Sequence, residues 1–98
     1  MLDGWVAMAK RTHSGNPELQ RDEAIRSASL AAMTPMLAAQ GMGLSTGSMS
    51  GFDHLGVVRE FQLAATEVPV ILVTVGHPAP GNWPQKPRRP LHEVIEFV

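Results

Sequence analysis

At 98 residues, with no cysteine and a formal net charge of −1 from eight Lys and Arg against nine Asp and Glu, the chain is one domain at most, and disulfides, thiolate catalysis and cysteine-ligated zinc are excluded. The near-neutral balance also excludes a nucleic-acid or membrane-surface protein driven by bulk electrostatics. No apolar stretch reaches a membrane span and the N-terminus lacks a basic-then-apolar signal pattern, so the expectation is a soluble, cytoplasmic protein whose core is thin.

In chain order, residues 1–10 read as a short amphipathic helix, with Leu2, Trp5, Val6 and Met8 or Ala9 recurring at about helical spacing. Residues 12–16 read as a polar loop. Asn16 and Pro17 then form a helix start, an N-cap side chain followed by proline at the first helical position, and Glu18 suits the positive end of the dipole. This helix is predicted from Pro17 to about Gln40, with Gly41 or Gly43 as its stop. Its first half is polar on most faces, whereas residues 28–39 are apolar nearly all round and call for burial. Ala28, Ala31, Ala32, Ala38 and Ala39 would admit another helix closely, within the domain or across a dimer. Pro35 removes one backbone hydrogen bond and predicts a bend. Met33, Met36 and Met42 are core filler at helical spacing rather than a metal or cofactor box.

The stretch from Gly47 to Asp53, Gly-Ser-Met-Ser-Gly-Phe-Asp, reads as a loop joining that helix to the next. Its glycines permit backbone conformations closed to other residues, so the chain can run close to a flat ligand with its N–H and C=O groups turned outward. A plain linker is the alternative. Asp53 is placed to cap a helix from His54 to about Phe61, with Phe52 packing on Val57. Residues 68–75, Val-Pro-Val-Ile-Leu-Val-Thr-Val, form a β-branched run predicted as a strand buried on both faces. The other strand candidate is Glu93 to Val98. Two strands fall short of an independent sheet, so the sequence is expected to lack strands that it was shaped to pair with.

Residues 77–90 hold five of the eight prolines, together with Trp83, Lys86, Arg88 and Arg89. Such a segment is extended and runs over a surface. It is either a solvated connection or an anion trap, since an arginine fork and a lysine point charge suit a phosphate. Other chemistry falls away. Gly47-Ser-Met-Ser-Gly has Met49 where a nucleophile elbow needs serine, and the loop is read as following no strand. Gly41-Met-Gly-Leu-Ser-Thr has Thr46 in place of the third glycine of a dinucleotide fingerprint. His13, His54, His77 and His92 are scattered, and no metal is predicted.

Five segments together resemble the C-terminal half of the FMN-dependent nitroreductase family. They are Ser27-Ala-Ser-Leu-Ala-Ala-Met, then Leu-Ala-Ala-Gln-Gly-Met-Gly-Leu, Met49-Ser-Gly-Phe-Asp, Val-Pro-Val-Ile-Leu-Val-Thr-Val-Gly-His-Pro and Lys-Pro-Arg-Arg-Pro-Leu-His-Glu-Val-Ile. The likeness is strongest over residues 22–98, and residues 1–98 would form one partial domain. It implies an α+β fold: a long buried helix and strands of a mixed sheet, with the C-terminal strand, Glu93 to Val98, exchanged between subunits of a homodimer. It also implies that Ser48, Met49, Ser50 and Gly51 lie along the flavin ring of FMN, an N–H approaching the reactive N5, and that Lys86 and Arg88 hold the phosphate. Arg89 is a weaker substitute for either. The implied chemistry is hydride transfer from NADH or NADPH through FMN to a nitroaromatic or quinone-like acceptor, in which flavin carries the reaction and protein groups orient it.

Departures accompany the match. The family's N-terminal phosphate segment has no counterpart here, Arg11, Thr12 and Ser14 being no replacement, and Pro35 stands where a bulky apolar residue is ordinary. The expectation is therefore an incomplete chain. A second function class stays open, a non-enzymatic remnant that serves only as a dimerisation or interaction module. Neither class calls for nucleic acid or a membrane.

Overall fold

The computed structural model describes all 98 residues. Helix α1 spans Leu2–His13, α2 Pro17–Gly41 and α3 His54–Glu60, while strands β1 (Ser45–Met49) and β2 (Leu72–Gly76) form one two-stranded sheet.

Helix α1 continues through the expected polar loop as far as His13. Its last turn is stabilised by its own side chains: Thr12 Oγ1 donates to the Met8 carbonyl at 2.9 Å and His13 Nδ1 meets the Ala9 carbonyl at 2.9 Å. Lys10, Arg11 and His13 also place positive charge at the negative end of the dipole. Gly15, at φ +72°, then reverses the chain, and Gln20 Nε2 donates to the His13 carbonyl at 2.7 Å to tie the two helices together.

Helix α2 starts as predicted, with Asn16 Oδ1 accepting from the Leu19 N–H at 3.0 Å and Pro17 in the first turn. Its end is a Schellman turn centred on Gly43 at φ +76°. Leu44 N–H donates to the Ala39 carbonyl at 2.9 Å and Gly43 N–H to the Gln40 carbonyl at 3.1 Å. Pro35 lies within the helix and leaves the Ala31 carbonyl without its usual donor.

The buried helix expected over residues 28–39 is realised on one side only. Ile25, Ala32 and Met36 are half-buried and Ala39 is buried, a stripe two heptads long on a helix that packs against both the sheet and α1. Leu30, Met33 and Leu37, on the opposite side, remain open to solvent. The reason is that the chain supplies one layer to cover α2 where its composition suits two.

The expected loop at residues 47–53 begins as a strand. β1 runs antiparallel to β2, with Ser45 opposite Gly76, Gly47 opposite Thr74 and Met49 opposite Leu72. Ser-Thr-Gly-Ser-Met carries no apolar alternation, so its strand character comes from the partner, which provides the ladder hydrogen bonds. Neither Gly47 nor Gly51 adopts a positive φ. Gly47 is instead required by close approach: a Cβ there would lie 2.9 Å from Thr74 Oγ1, which itself donates to the Gly47 carbonyl at 3.3 Å.

Three further expectations are corrected. The strand predicted over 68–75 is Leu72–Gly76, and residues 68–71 lie half-buried outside it, with Pro69 unable to donate to a ladder. Val75 is largely exposed, so β2 is not buried on both faces. Residues 93–98 form no strand: Leu91–Glu93 make a single 3-10 turn and the last residues are irregular, because no strand of this chain lies alongside to pair with them. The Asp53 side chain makes no capping hydrogen bond to α3. Its carboxylate lies over Gly56 and 3.7 Å from Arg59, while the Phe52 ring rests against His54 with centroids 4.4 Å apart.

One consequence dominates the architecture. Ala39 is the single buried residue, the radius of gyration is 18.3 Å and the accessible surface is 8865 Å². A folded domain of this length has a radius of about 13 Å, and a folded monomer of this mass exposes about 5,500 Å². The chain therefore carries roughly 3,400 Å² of surface that a closed fold would bury. No helix is long and apolar enough to cross a membrane.

Candidate functional site

The geometry of the candidate site follows from how β1 ends. Ser48 and Met49 are the last two residues of the strand, opposite Val73 and Leu72, so their backbone is committed to the sheet and their side chains are exposed. Ser50 and Gly51 leave the ladder. No backbone hydrogen bond involves either, and both are exposed, so consecutive N–H and C=O groups stand open between β1 and Asp53. The four residues thus divide into a strand end that fixes direction and a two-residue loop with free donors and acceptors.

A shallow depression of about 350 Å³ lies along the same two strands, lined by Ser45, Thr46, Gly47, Thr74, His77 and Asn82 among others. Thr74, His77 and Asn82 escape a reading by sequence alone. The signal that finds them is the pairing of β1 with β2, which no local pattern in β1 reveals. A larger groove of about 590 Å³ lies between α1 and the start of α2, beside Lys10, His13, Gln20 and Glu23, and shares no residue with the first.

The proline-rich segment from His77 to Pro90 is exposed throughout and free of helix and strand, broken by a turn at Pro80 and Gly81, where Gly81 has φ +91°. Pro90 has φ −56° and ψ 148°, the polyproline II region. Of its three cations, Arg89 is engaged: its Nε lies 3.2 Å from a Glu93 carboxylate oxygen. Lys86 and Arg88 make no ion pair, which leaves two positive charges free to meet an anion. No hydrogen bond joins either of them to Ser48–Gly51. Asn82 and His77, both of this segment, line the β1/β2 depression.

The residues present fit a planar heteroaromatic ligand carrying a phosphate. Free backbone groups at Ser50 and Gly51 can meet a ring edge, and Lys86 and Arg88 supply charge for the anionic end. The four histidines do not gather with acidic residues into any group that could hold a metal ion.

Comparison with known proteins gives a consistent picture. The Nitroreductase family matches residues 3–77, which includes both long helices, both strands and the loop between them. A Bacillus subtilis protein named as an NAD(P)H nitroreductase, MhqN, is 37% identical over 82 residues, covering 83% of this chain and 40% of its own. A Xanthomonas oryzae protein named as an NADH dehydrogenase/NAD(P)H nitroreductase is 35% identical over 92 residues, covering 93% of this chain and 47% of its own. Among solved structures, the Bacillus subtilis nitroreductase ydfN superposes with a TM-score of 0.82 at 35% identity, over 91% of this chain and 44% of that one. A nitroreductase family protein from Streptococcus pneumoniae superposes with a TM-score of 0.76 at 28% identity. The chain thus spans less than half the length of these relatives.

Proposed function

This chain belongs to the nitroreductase family, and we propose that it provides part of an FMN site in an oxidoreductase that passes hydride from NAD(P)H to a nitroaromatic or quinone-like acceptor. The observation that carries this reading is the family match across β1, its loop and β2, the same elements that leave Ser50 and Gly51 with unpaired backbone groups. FMN, when bound, supplies the redox chemistry.

This chain's own residues bind and orient. Ser48 and Met49 direct the backbone along the ring, and Ser50 and Gly51 present N–H donors and C=O acceptors to its polar edge. The loop's donors follow directly on a strand end that fixes where the loop begins, which favours the directed hydrogen bond that tuning a ring nitrogen needs. Lys86 and Arg88 anchor the phosphate, while Arg89 is held by Glu93 and contributes only if that exposed pair opens. The prolines at 84, 87 and 90 reduce the entropy lost in fixing these cations. The relatives' names support a nicotinamide donor. The homodimer, and a C-terminal segment from residue 93 crossing to the partner's sheet, belong to the same proposal, as does a cytoplasmic location.

The test is FMN titration of the purified protein, followed by flavin fluorescence, in wild type and in the Lys86→Ala/Arg88→Ala double variant. Each charge-assisted contact is worth about 1.5 to 3 kcal/mol. Affinity should therefore fall at least about tenfold per residue. Unchanged affinity in the double variant rules out the phosphate assignment. A wild-type chain that takes up no FMN, alone or with the rest of the fold supplied, rules out the flavin reading and leaves an interaction module.

A further inference from the structure

We infer that Glu93 is a specificity-determining residue of the proposed phosphate site: by holding Arg89 it leaves two free cations in the basic segment, which suits a phosphomonoester and disfavours more highly charged anions. Glu93 has this role only if Lys86 and Arg88 bind a phosphate, as proposed above. Its carboxylate has the wrong sign to touch that ligand, so it acts through Arg89.

One turn builds the arrangement. The Pro90 carbonyl accepts from the Glu93 N–H at 3.0 Å, and the Leu91 carbonyl accepts from the Val94 N–H at 3.0 Å and the Ile95 N–H at 2.9 Å. These bonds place Glu93 four residues beyond Arg89, and the guanidinium closes on it twice. Arg89 Nε donates to the carboxylate at 3.2 Å, and Nη2 donates to the Glu93 backbone carbonyl at 3.4 Å. His92 Nε2 stands 4.0 Å from the other carboxylate oxygen, beyond hydrogen-bond reach. Arg89 is thus the cation that Glu93 holds, while Lys86 and Arg88 make no ion pair.

Charge gives the consequence. A phosphomonoester carries about 1.5 to 2 negative charges at pH 7, which Lys86 and Arg88 together neutralise. Consecutive Cα atoms are about 3.8 Å apart, so an Arg89 side chain released from Glu93 can swing to an anion seated on Arg88. That third cation would be in excess for a monoester and would favour a pyrophosphate. Both side chains of the pair remain open to water, so the effect on affinity is a few fold and not orders of magnitude.

The experiment is fluorescence titration of the full chain with FMN and with riboflavin, which shares the ring and lacks the phosphate, using inorganic pyrophosphate as a competitor. Salt is kept at about 0.15 M, where charges farther than about 8 Å from the ligand are largely screened. Glu93→Gln should bind FMN about two- to fivefold more tightly than wild type and gain more for pyrophosphate than for FMN. Its riboflavin affinity should be unchanged, which also shows that the fold is intact. In an Arg89→Ala background most of the FMN gain should disappear. Modification by phenylglyoxal, mapped by mass spectrometry, reads the arginines directly: bound FMN should shield Arg88 in both proteins, and Arg89 only in Glu93→Gln. Unchanged FMN affinity in Glu93→Gln, a gain shared by riboflavin, a gain for pyrophosphate no larger than that for FMN, or a gain that persists in full without Arg89 overturns the role of Glu93 and leaves the phosphate reading standing. If Lys86→Ala/Arg88→Ala binds FMN as well as wild type does, the phosphate reading itself falls, and the role of Glu93 falls with it.

Discussion

Substitution of Gly47 tests whether the register of β1 against β2 is set by close approach, because the expected effect changes sign with the residue opposite. In wild type a Cβ at position 47 would lie 2.9 Å from Thr74 Oγ1, too near for the present rotamer, so Gly47→Ala must turn the threonine and break its 3.3 Å hydrogen bond to the Gly47 carbonyl. Losing that bond costs about 0.5 to 1.5 kcal/mol, and an off-rotamer threonine costs a similar amount. Replacing glycine inside a strand returns about 0.5 to 1 kcal/mol. The net is a loss of about 1 kcal/mol in wild type. In a Thr74→Ala background both penalties vanish, and Gly47→Ala becomes favourable by about 0.5 to 1 kcal/mol. Hydrogen exchange of the β1 and β2 ladder amides reads local opening directly: the single variant should exchange about fivefold faster than wild type, and the double variant slower than Thr74→Ala alone. An equal effect of Gly47→Ala in both backgrounds would refute the reasoning, since the Thr74 hydroxyl would then play no part.

Three other outcomes follow from local geometry. Gly43→Ala should destabilise the end of α2 by about 1 to 2 kcal/mol, because the Schellman turn needs φ +76° there; the check is loss of amide protection at Gly43 and Leu44 in hydrogen exchange. Asn16→Ala should cost about 1 kcal/mol through loss of the bond to the Leu19 N–H, read as lower helicity by circular dichroism, with Asn16→Asp retaining most of it. Gly56→Ala should be neutral or mildly stabilising, by up to about 1 kcal/mol: the new methyl meets the mobile Asp53 carboxylate at 2.6 Å, which swings aside and gives up its exposed pair with Arg59. A loss greater than 1 kcal/mol in urea unfolding would show that the carboxylate is held in place.

The helices were legible because their signals are local. Asn16 and Pro17 begin α2, and a glycine ends it, each acting within one turn of its own position. β1 was not legible for the opposite reason: Ser-Thr-Gly-Ser-Met becomes a strand only because residues 72–76 lie beside it. That hidden strand also altered the candidate site. Ser48 and Met49 belong to the ladder and only Ser50 and Gly51 to a loop, so the nucleophile-elbow reading fails on Met49 alone, since a strand does precede it. The C-terminal segment erred in the other direction. Glu-Val-Ile-Glu-Phe-Val is rich in β-branched and aromatic residues, as strands are, yet composition describes what a segment can pair with, and no strand of this chain pairs with it. Burial in α2 was half legible: the sequence marks the second half of a helix as apolar nearly all round, while the packing of α1 and the sheet covers one side of it.

The unpaired edges of the β1/β2 sheet also set a time limit on handling this protein. β2 presents Leu-Val-Thr-Val-Gly with no lysine, proline or bulge to blunt its outer side. Strand-to-strand addition between copies rises with the square of concentration, so dilution favours the soluble product. Concentrated protein should grow turbid and bind amyloid dyes, at a rate that Val73→Lys on the sheet slows.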